Sequence, residues 1–294
     1  MIDFKPLRLE DKDRISSIIC ASGCHGADYS FANLFLWREE YKPEIAFLDE
    51  RMLLFMPLFE DLYAYPKGGG DIRPAVEALL EDAHARGHKL VMRGLTERTL
   101  EEFLSHYEGR FTIEENREDA DYIYTVDKLA DLAGRKLASK RNHINQFERG
   151  GDWEFRRVTK DNTGEARDFI RTFYEEKDDP TLAAESKAIR EMFTHYDDLG
   201  FYGGLLYQLG EPVAFTAATR LDEITLDVHF EKALPHVKGA YTMINREFIR
   251  MMRDLIPELE YVNREEDMGI EGLRRAKESY HPDVLLRKYT ATEI

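Results

Sequence analysis

One succession of element signals runs through this chain twice. Residues 4–9 alternate as a strand does, Glu10, Asp11, Lys12 and Asp13 open a helix, and Ile15, Ile18 and Ile19 follow at helical spacing. Strands are predicted over 45–48 and 52–57 around a turn at Asp49 and Glu50, and then over 62–65. After Lys67-Gly68-Gly69-Gly70 comes a helix over 72–85 that Gly87 stops, then a strand over 89–94. A helix over 100–107 and strands near 111–115 and 122–126 close the first half. The second half keeps the order: strand 153–158, helix 166–174, strands 202–208 and 212–220 around Gly210, and strand 224–230. A Lys238-Gly239 loop, helix 241–256, strand 259–263, helix 270–280 and strand 284–289 complete it. The halves share little sequence, so the repeat is one of pattern. It predicts an α/β (α+β) chain of two units, 1–130 and 151–294, each a mixed central sheet flanked by helices. A basic connecting helix over 131–150 is expected between them, and the likelier active site in the second.

Composition narrows what such a fold can be for. The 294 residues suit two domains, and 43% hydrophobic residues supply two cores, which excludes disorder. A formal charge of -16 counts against a general binder of nucleic acid or anionic membranes. Against it stands one basic stretch, 132–149, where Arg135, Lys136, Lys140, Arg141, His143 and Arg149 alternate with Leu137, Ile144 and Phe147. Cys20 and Cys24 are too few for a disulfide framework, and with only His25 nearby they make no metal set. Buried or partly buried thiols and no metal are expected. Residues 1–10 lack the pattern of a signal peptide, and no apolar run approaches the ~20 residues that span a bilayer, so a cytoplasmic location is expected.

Three places carry candidate chemistry. Asp227, His229 and Glu231 follow at period two on a strand, so they share a face and form a candidate proton relay. The loop after them opens a long helix. Lys238 and the amides of Gly239, Ala240 and Tyr241 suit an anion there, with Lys232 and His236 nearby, unless this is a plain helix start with surface lysines. The run Asn263, Arg264, Glu265, Glu266, Asp267 follows a central strand, where α/β sheets bind ligands, and its acids suit an amine; the other reading is a solvated loop. Tyr280 is either a proton donor to a leaving alkoxide or an interfacial aromatic. Tyr29, Asn33 and Trp37 recur every four residues, and Asn33 reads as packing or capping.

The runs DYSFANLFLW at 28–37, GRKLASKRNHINQF at 134–147 and YVNREEDMGIEGLRRAKESYHP at 261–282 resemble a family of bacterial proteins of unassigned function, domain of unknown function 2156. That family is related to the C-terminal catalytic domain of phosphatidylglycerol lysyltransferase, and the resemblance covers nearly the whole chain. It implies two tandem acetyltransferase-like (GNAT-like) units, a fold also used by transferases that add amino acids to peptidoglycan stems. In the lysyltransferase the donor is an aminoacyl-tRNA and the acceptor a lipid hydroxyl. The sequence here has no counterpart of that enzyme's membrane-spanning portion, which leaves a small-molecule, lipid or peptide acceptor, and the oligomeric state, open. GNAT-like units commonly take acyl-CoA at the loop matched here by 238–241. On this resemblance Lys238, Gly239, Ala240 and Tyr241 bind the donor phosphate. Asp227, His229 or Glu231 relay the acceptor proton, and Glu265, Glu266 and Asp267 recognise an amine. Tyr280 protonates the leaving group, and Arg135, Lys136, Lys140 and Arg141 touch a tRNA acceptor stem. No tightly bound cofactor is expected; CoA or aminoacyl-tRNA enters as co-substrate. The competing readings are an aminoacyl-tRNA-dependent transferase, an acyl-CoA-dependent N-acyltransferase, and a non-catalytic binding protein of the same fold.

Overall fold

The computed structural model describes residues 1–23, 25–59, 61–175 and 182–294; Cys24 lies outside them. The chain divides into two compact units: Met1–Asp121 with Glu266–Glu271 and Leu285–Ile294, and Tyr122–Glu265 with Gly272–Val284.

In the first unit Glu44–Leu48 and Arg51–Met56 form a hairpin, with Leu48 opposite Arg51 and Asp49 at a left-handed φ of 52° in the turn. Lys5–Pro6 pairs along its outer edge. On the other side Leu62–Ala64 runs antiparallel to Arg51–Met56 and parallel to Val91–Thr96, which in turn pairs antiparallel with Val284–Glu293. The helix Arg73–Arg86 begins with proline in its first turn, where no amide is needed, and ends at Gly87, whose φ of 90° terminates it. Its residues Ala75, Val76, Leu79, Leu80 and Ala83 recur at helical spacing and pack with Phe55, Tyr63, Met92, Leu95, Phe103 and Ala291.

The second unit has its own mixed sheet. Residues 123–125, the end of Phe111–Thr125, pair antiparallel with Tyr261–Asn263. That strand lies parallel to Thr225–Ala233, which continues antiparallel through Glu211–Arg220, Tyr202–Gln208 and Trp153–Arg157. A register shift at Ala217 and Ala218 breaks the pairing beside the strand that carries Asp227 and His229. The helix Ala240–Leu255 buries Met243, Ile244, Phe248, Ile249 and Met252 at helical spacing and packs on this sheet and on Ala138–Glu148.

The predicted order of elements holds, but not the division into 1–130, 131–150 and 151–294. Phe111–Thr125 is one strand and not two. Its polar middle stays extended because Asn116 accepts from Thr290 (2.6 Å) and Asp121 from Lys288 (2.7 Å). The last strand of each half therefore belongs to the other half's unit: 122–125 to the second, 285–294 to the first. Ala138–Glu148 is no connector but part of the second unit, with Ile144 and Phe147 buried in it. The helices Val126–Asp131, Ala183–Thr194 and Tyr196–Leu199 were not predicted. Cys20 is exposed, against the expectation of a buried or partly buried thiol, because it sits on the outer face of Lys12–Ser22, opposite Ile15 and Ile19. Among the described residues no helix is long and apolar enough to cross a membrane.

Candidate functional site

Thr225–Ala233 carries Asp227, His229 and Glu231 on one face, as their spacing requires, but gives them different surroundings. Asp227 and His229 are buried. The imidazole is bonded at both nitrogens: Nδ1 to Glu265 Oε1 at 3.1 Å and Nε2 to Thr219 Oγ1 at 2.8 Å, with Asp227 Oδ2 3.7 Å from Nε2. Burial disfavours the charged ring, yet Asp227 and Glu265 outweigh it and raise the pKa above the ordinary 6.5. Bonded at both nitrogens, the buried ring fixes the positions of Glu265 and Thr219. Glu265 has a left-handed φ of 57°, held by its N–H donating to Asn263 Oδ1 (2.7 Å) and by its carbonyl accepting from Lys277 Nζ (3.1 Å). Asn263, a predicted substrate contact, thus works in the turn.

Glu231, the third residue of the predicted relay, faces a second group. Its Oε1 accepts from Arg264 Nη2 (2.8 Å) and its Oε2 from Asn245 Nδ2 (2.9 Å). The Arg264 guanidinium lies 4.9 Å from the centre of the Tyr280 ring, and Lys140 Nζ lies 3.8 Å from the same centre. Burial, then the neighbouring Arg264, push the Lys140 ammonium down to about 8, with Glu231 acting against them. Burial raises the Tyr280 hydroxyl above its ordinary 10 against the pull of Arg264, so it stays a neutral proton donor near neutrality. Two cations, a neutral phenol, a carboxylate and an amide therefore meet under the start of Ala240–Leu255. An open groove of about 560 Å³ elsewhere in this unit, between Phe155, Arg157 and residues 247–255, holds none of them.

Several expected placements change. Lys140 does not lie on an outer basic face with Arg135, Lys136 and Arg141; those three are exposed, whereas Lys140 is 8% exposed. It shares the inward stripe of its helix with Ile144 and Phe147, at i, i+4 and i+7. Arg141 donates to the carbonyls of Leu132 and Gly134 (2.5 and 2.7 Å) and braces the loop before the helix. Glu265, Glu266 and Asp267 do not converge on an amine. Asp267 is buried and accepts from Arg117 Nη1 (3.2 Å) and the amide of Gly269 (2.9 Å) in the first unit. Glu266 is also in the first unit, grouped with Asp28 and Asp121. Left-handed residues at 265 and 268 send successive side chains in different directions.

At 238–241 Lys238 is exposed, Ala240 buried and Tyr241 44% exposed. Gly239 has a φ of 83°, and a Cβ there would fall 2.1 Å from the His143 carbonyl oxygen, so close backbone approach alone requires glycine. Gly68 in the first unit repeats the device: its Cβ would lie 2.2 Å from the Glu50 carbonyl oxygen. Ser30 caps the helix Phe31–Leu36 by accepting from the Asn33 amide, and the Asn33 side chain ties back to the Ala27 carbonyl (3.1 Å).

Among the described residues two groups have cation-ligating spacing, Asp227-His229-Glu265 and Asp28-Asp121-Glu266. In the first, both ring nitrogens are engaged as described. In the second, the Lys288 ammonium sits 2.7 Å from both Asp28 Oδ1 and Asp121 Oδ1. Burial, opposed by Lys288 and aided by Asp121, pushes Asp28 up to about 6. Asn245, Thr219 and Lys288 were missed from sequence: each meets its partner on a different element of the fold, and none carries a motif.

The family model described as phosphatidylglycerol lysyltransferase, C-terminal, matches residues 22–292. A conserved protein of unknown function from Bacteroides thetaiotaomicron VPI-5482 is 36% identical, with a TM-score of 0.93 over 100% of both chains. L-PGS from Bacillus licheniformis is 15% identical with a TM-score of 0.59, over 88% of this chain and 90% of that one. A tandem GNAT protein from the clavulanic acid biosynthesis pathway is 10% identical, with a TM-score of 0.51 over 99% and 98%. These last two likenesses are of fold: two tandem GNAT-like units. An uncharacterized protein of Mycoplasmoides gallisepticum is 23% identical over 181 residues, 59% of this chain and 56% of its own length, so the chain spans little more than half of that curated relative.

Proposed function

This chain belongs to the phosphatidylglycerol lysyltransferase C-terminal family, and on that premise we propose that it is an acyltransferase whose second unit moves an aminoacyl group from aminoacyl-tRNA to an amine or hydroxyl acceptor. The observation that carries this reading is the buried, neutral Tyr280 phenol set beside Arg264, Lys140 and Glu231. An aminoacyl ester is already activated, so the protein has mainly to align donor and acceptor and deliver a proton. The acceptor's nitrogen or oxygen attacks the ester carbonyl carbon. As the ester C–O bond breaks, Tyr280 gives its proton to the departing ribose oxygen, and the acceptor's own proton restores the phenol. Arg264, beside the ring, stabilises the transient phenolate. His229, bonded to Glu265 and Thr219, positions the Glu265 carboxylate in this reading. The exposed Arg135, Lys136 and Arg141 offer the phosphates of a tRNA acceptor stem a positive face in an acidic protein.

The exposed Lys238 at the start of Ala240–Leu255 favours a second reading, in which the donor is an acyl-CoA. A gel shift with charged tRNA at two salt concentrations, run beside a thermal-shift screen of acyl-CoAs, decides between them. Binding of tRNA that weakens steeply with salt is the expected result. A CoA shift without tRNA binding would overturn the tRNA donor, and silence in both would leave a non-catalytic binding protein.

A further inference from the structure

The group around Glu231 carries one positive charge in excess, and two of its buried polar atoms have no hydrogen-bond partner among the described residues. Arg264 engages Glu231 through Nη2, but its Nη1 is buried and makes no hydrogen bond among the described residues. Asn245 is 1% exposed; its Nδ2 engages the same carboxylate, while its Oδ1 is buried and likewise has no partner among the described residues. Lys140 lies over the face of the Tyr280 ring, and the carboxylate near it, Glu231, is already engaged by Arg264. Two cations against Glu231 leave a net positive charge in the interior of the second unit. Interiors do not ordinarily keep orphaned polar atoms or uncompensated charge, because the lost hydration is not returned.

The positions of the orphans limit what can satisfy them. Arg264 binds one oxygen of Glu231 and Asn245 the other, so the free donor and the free acceptor flank a single carboxylate. A ligand must present an anion and a hydrogen-bond donor separated by only a few bonds. A simple acyl chain presents neither, and an aminoacyl ester has no anionic group at its carbonyl. An α-amino acid, or the C-terminal residue of a peptide, has both: a carboxylate beside an ammonium or amide N–H. We propose that Lys140, Arg264 and Asn245 form a pocket for the α-carboxylate and adjacent N–H of an amino-acid or peptide acceptor. The carboxylate meets Lys140 Nζ and Arg264 Nη1, and the N–H donates to Asn245 Oδ1. The side chains of Glu231 and Arg264, 11% and 13% exposed, mark where the group reaches solvent. Burial first, and Arg264 second, lower the proton affinity of Lys140, a cost that a bound anion would relieve. The inference rests on the acyltransferase reading for calling the ligand an acceptor; the pocket itself does not depend on it.

Titration calorimetry on the whole chain tests it, with the free L-amino acids, a set of dipeptides, and the matching carboxamides as probes. At least one free acid or dipeptide is expected to bind, with its carboxamide weaker by about tenfold or more. Which of the two sources binds distinguishes a free amino acid from a peptide end. Lys140→Met and Asn245→Leu, checked for a native unfolding transition, are expected to weaken the acid and erase its preference over the carboxamide. Acids and carboxamides binding equally, or no acid or dipeptide binding up to about 10 mM, would overturn the pocket. Carboxylate binding without either tRNA or acyl-CoA binding leaves the pocket standing and removes the donor reading; donor binding without carboxylate binding does the reverse.

Discussion

Lys140 shows how one residue's setting departs from its type. Its ammonium is lowered from 10.5 to about 8, chiefly by burial. Below the folded-state value both folded and unfolded chains are protonated and the whole cost of burying the charge is present; between about 8 and 10.5 only the unfolded chain keeps the proton, so the cost is relieved as pH rises. Lys140→Met, which keeps the stem and removes the charge, is therefore expected to be more stable than the parent at pH 7, by about 1 kcal/mol after solvent screening. That advantage is expected to shrink by about pH 10 in paired denaturant titrations. His229 has the opposite sign. Its pKa is raised, so its contribution is fully present below 6.5 and is lost as pH climbs through the folded-state value. A stability–pH profile should fall on the alkaline side of 6.5, and His229→Gln should flatten it. Residue type and spacing placed Asp227, His229 and Glu231 on one face, and the i, i+4, i+7 relation of Lys140 to Ile144 and Phe147 was equally readable. Their partners were not, because Glu265, Arg264 and Asn245 reach them only through folding.

At the scale of elements, turns and helix ends account for the glycines better than ligands do. Gly239→Ala puts a Cβ into the His143 carbonyl at a φ of 83°. It is expected to destabilise the second unit by at least about 1–3 kcal/mol, read as a lowered Tm whether or not any donor is present. The final strand is fixed to the first unit by Lys288 between Asp28 and Asp121. Lys288→Met leaves two carboxylates beside each other, one of them fully buried, and is expected to cost about 3–5 kcal/mol. The deficit should narrow as pH falls from 7 towards 5, because Asp28, at about 6 even with Lys288 present, takes up a proton. Denaturant midpoints at the two pH values check both parts.

For the whole molecule, the exchange of last strands makes a cut at mid-chain the wrong experiment. Removing Val284–Glu293 takes a strand from the first unit, where Val91–Thr96 loses its antiparallel partner. Amide hydrogen exchange on a chain ending at residue 283 should show protection lost at 91–96 and kept across Thr225–Ala233. Sequence alone determined the order of strands and helices, the doubled pattern, the mixed-sheet class and the shared face of 227, 229 and 231. Those follow from periodicity and turn chemistry, which act over a few residues. Only the tertiary structure decided which unit each closing strand joins, that Lys140 turns inward to Tyr280, and that three consecutive acids part ways. Pairing and burial are choices among distant partners, settled by the free energy of the assembled unit, and no local pattern encodes them.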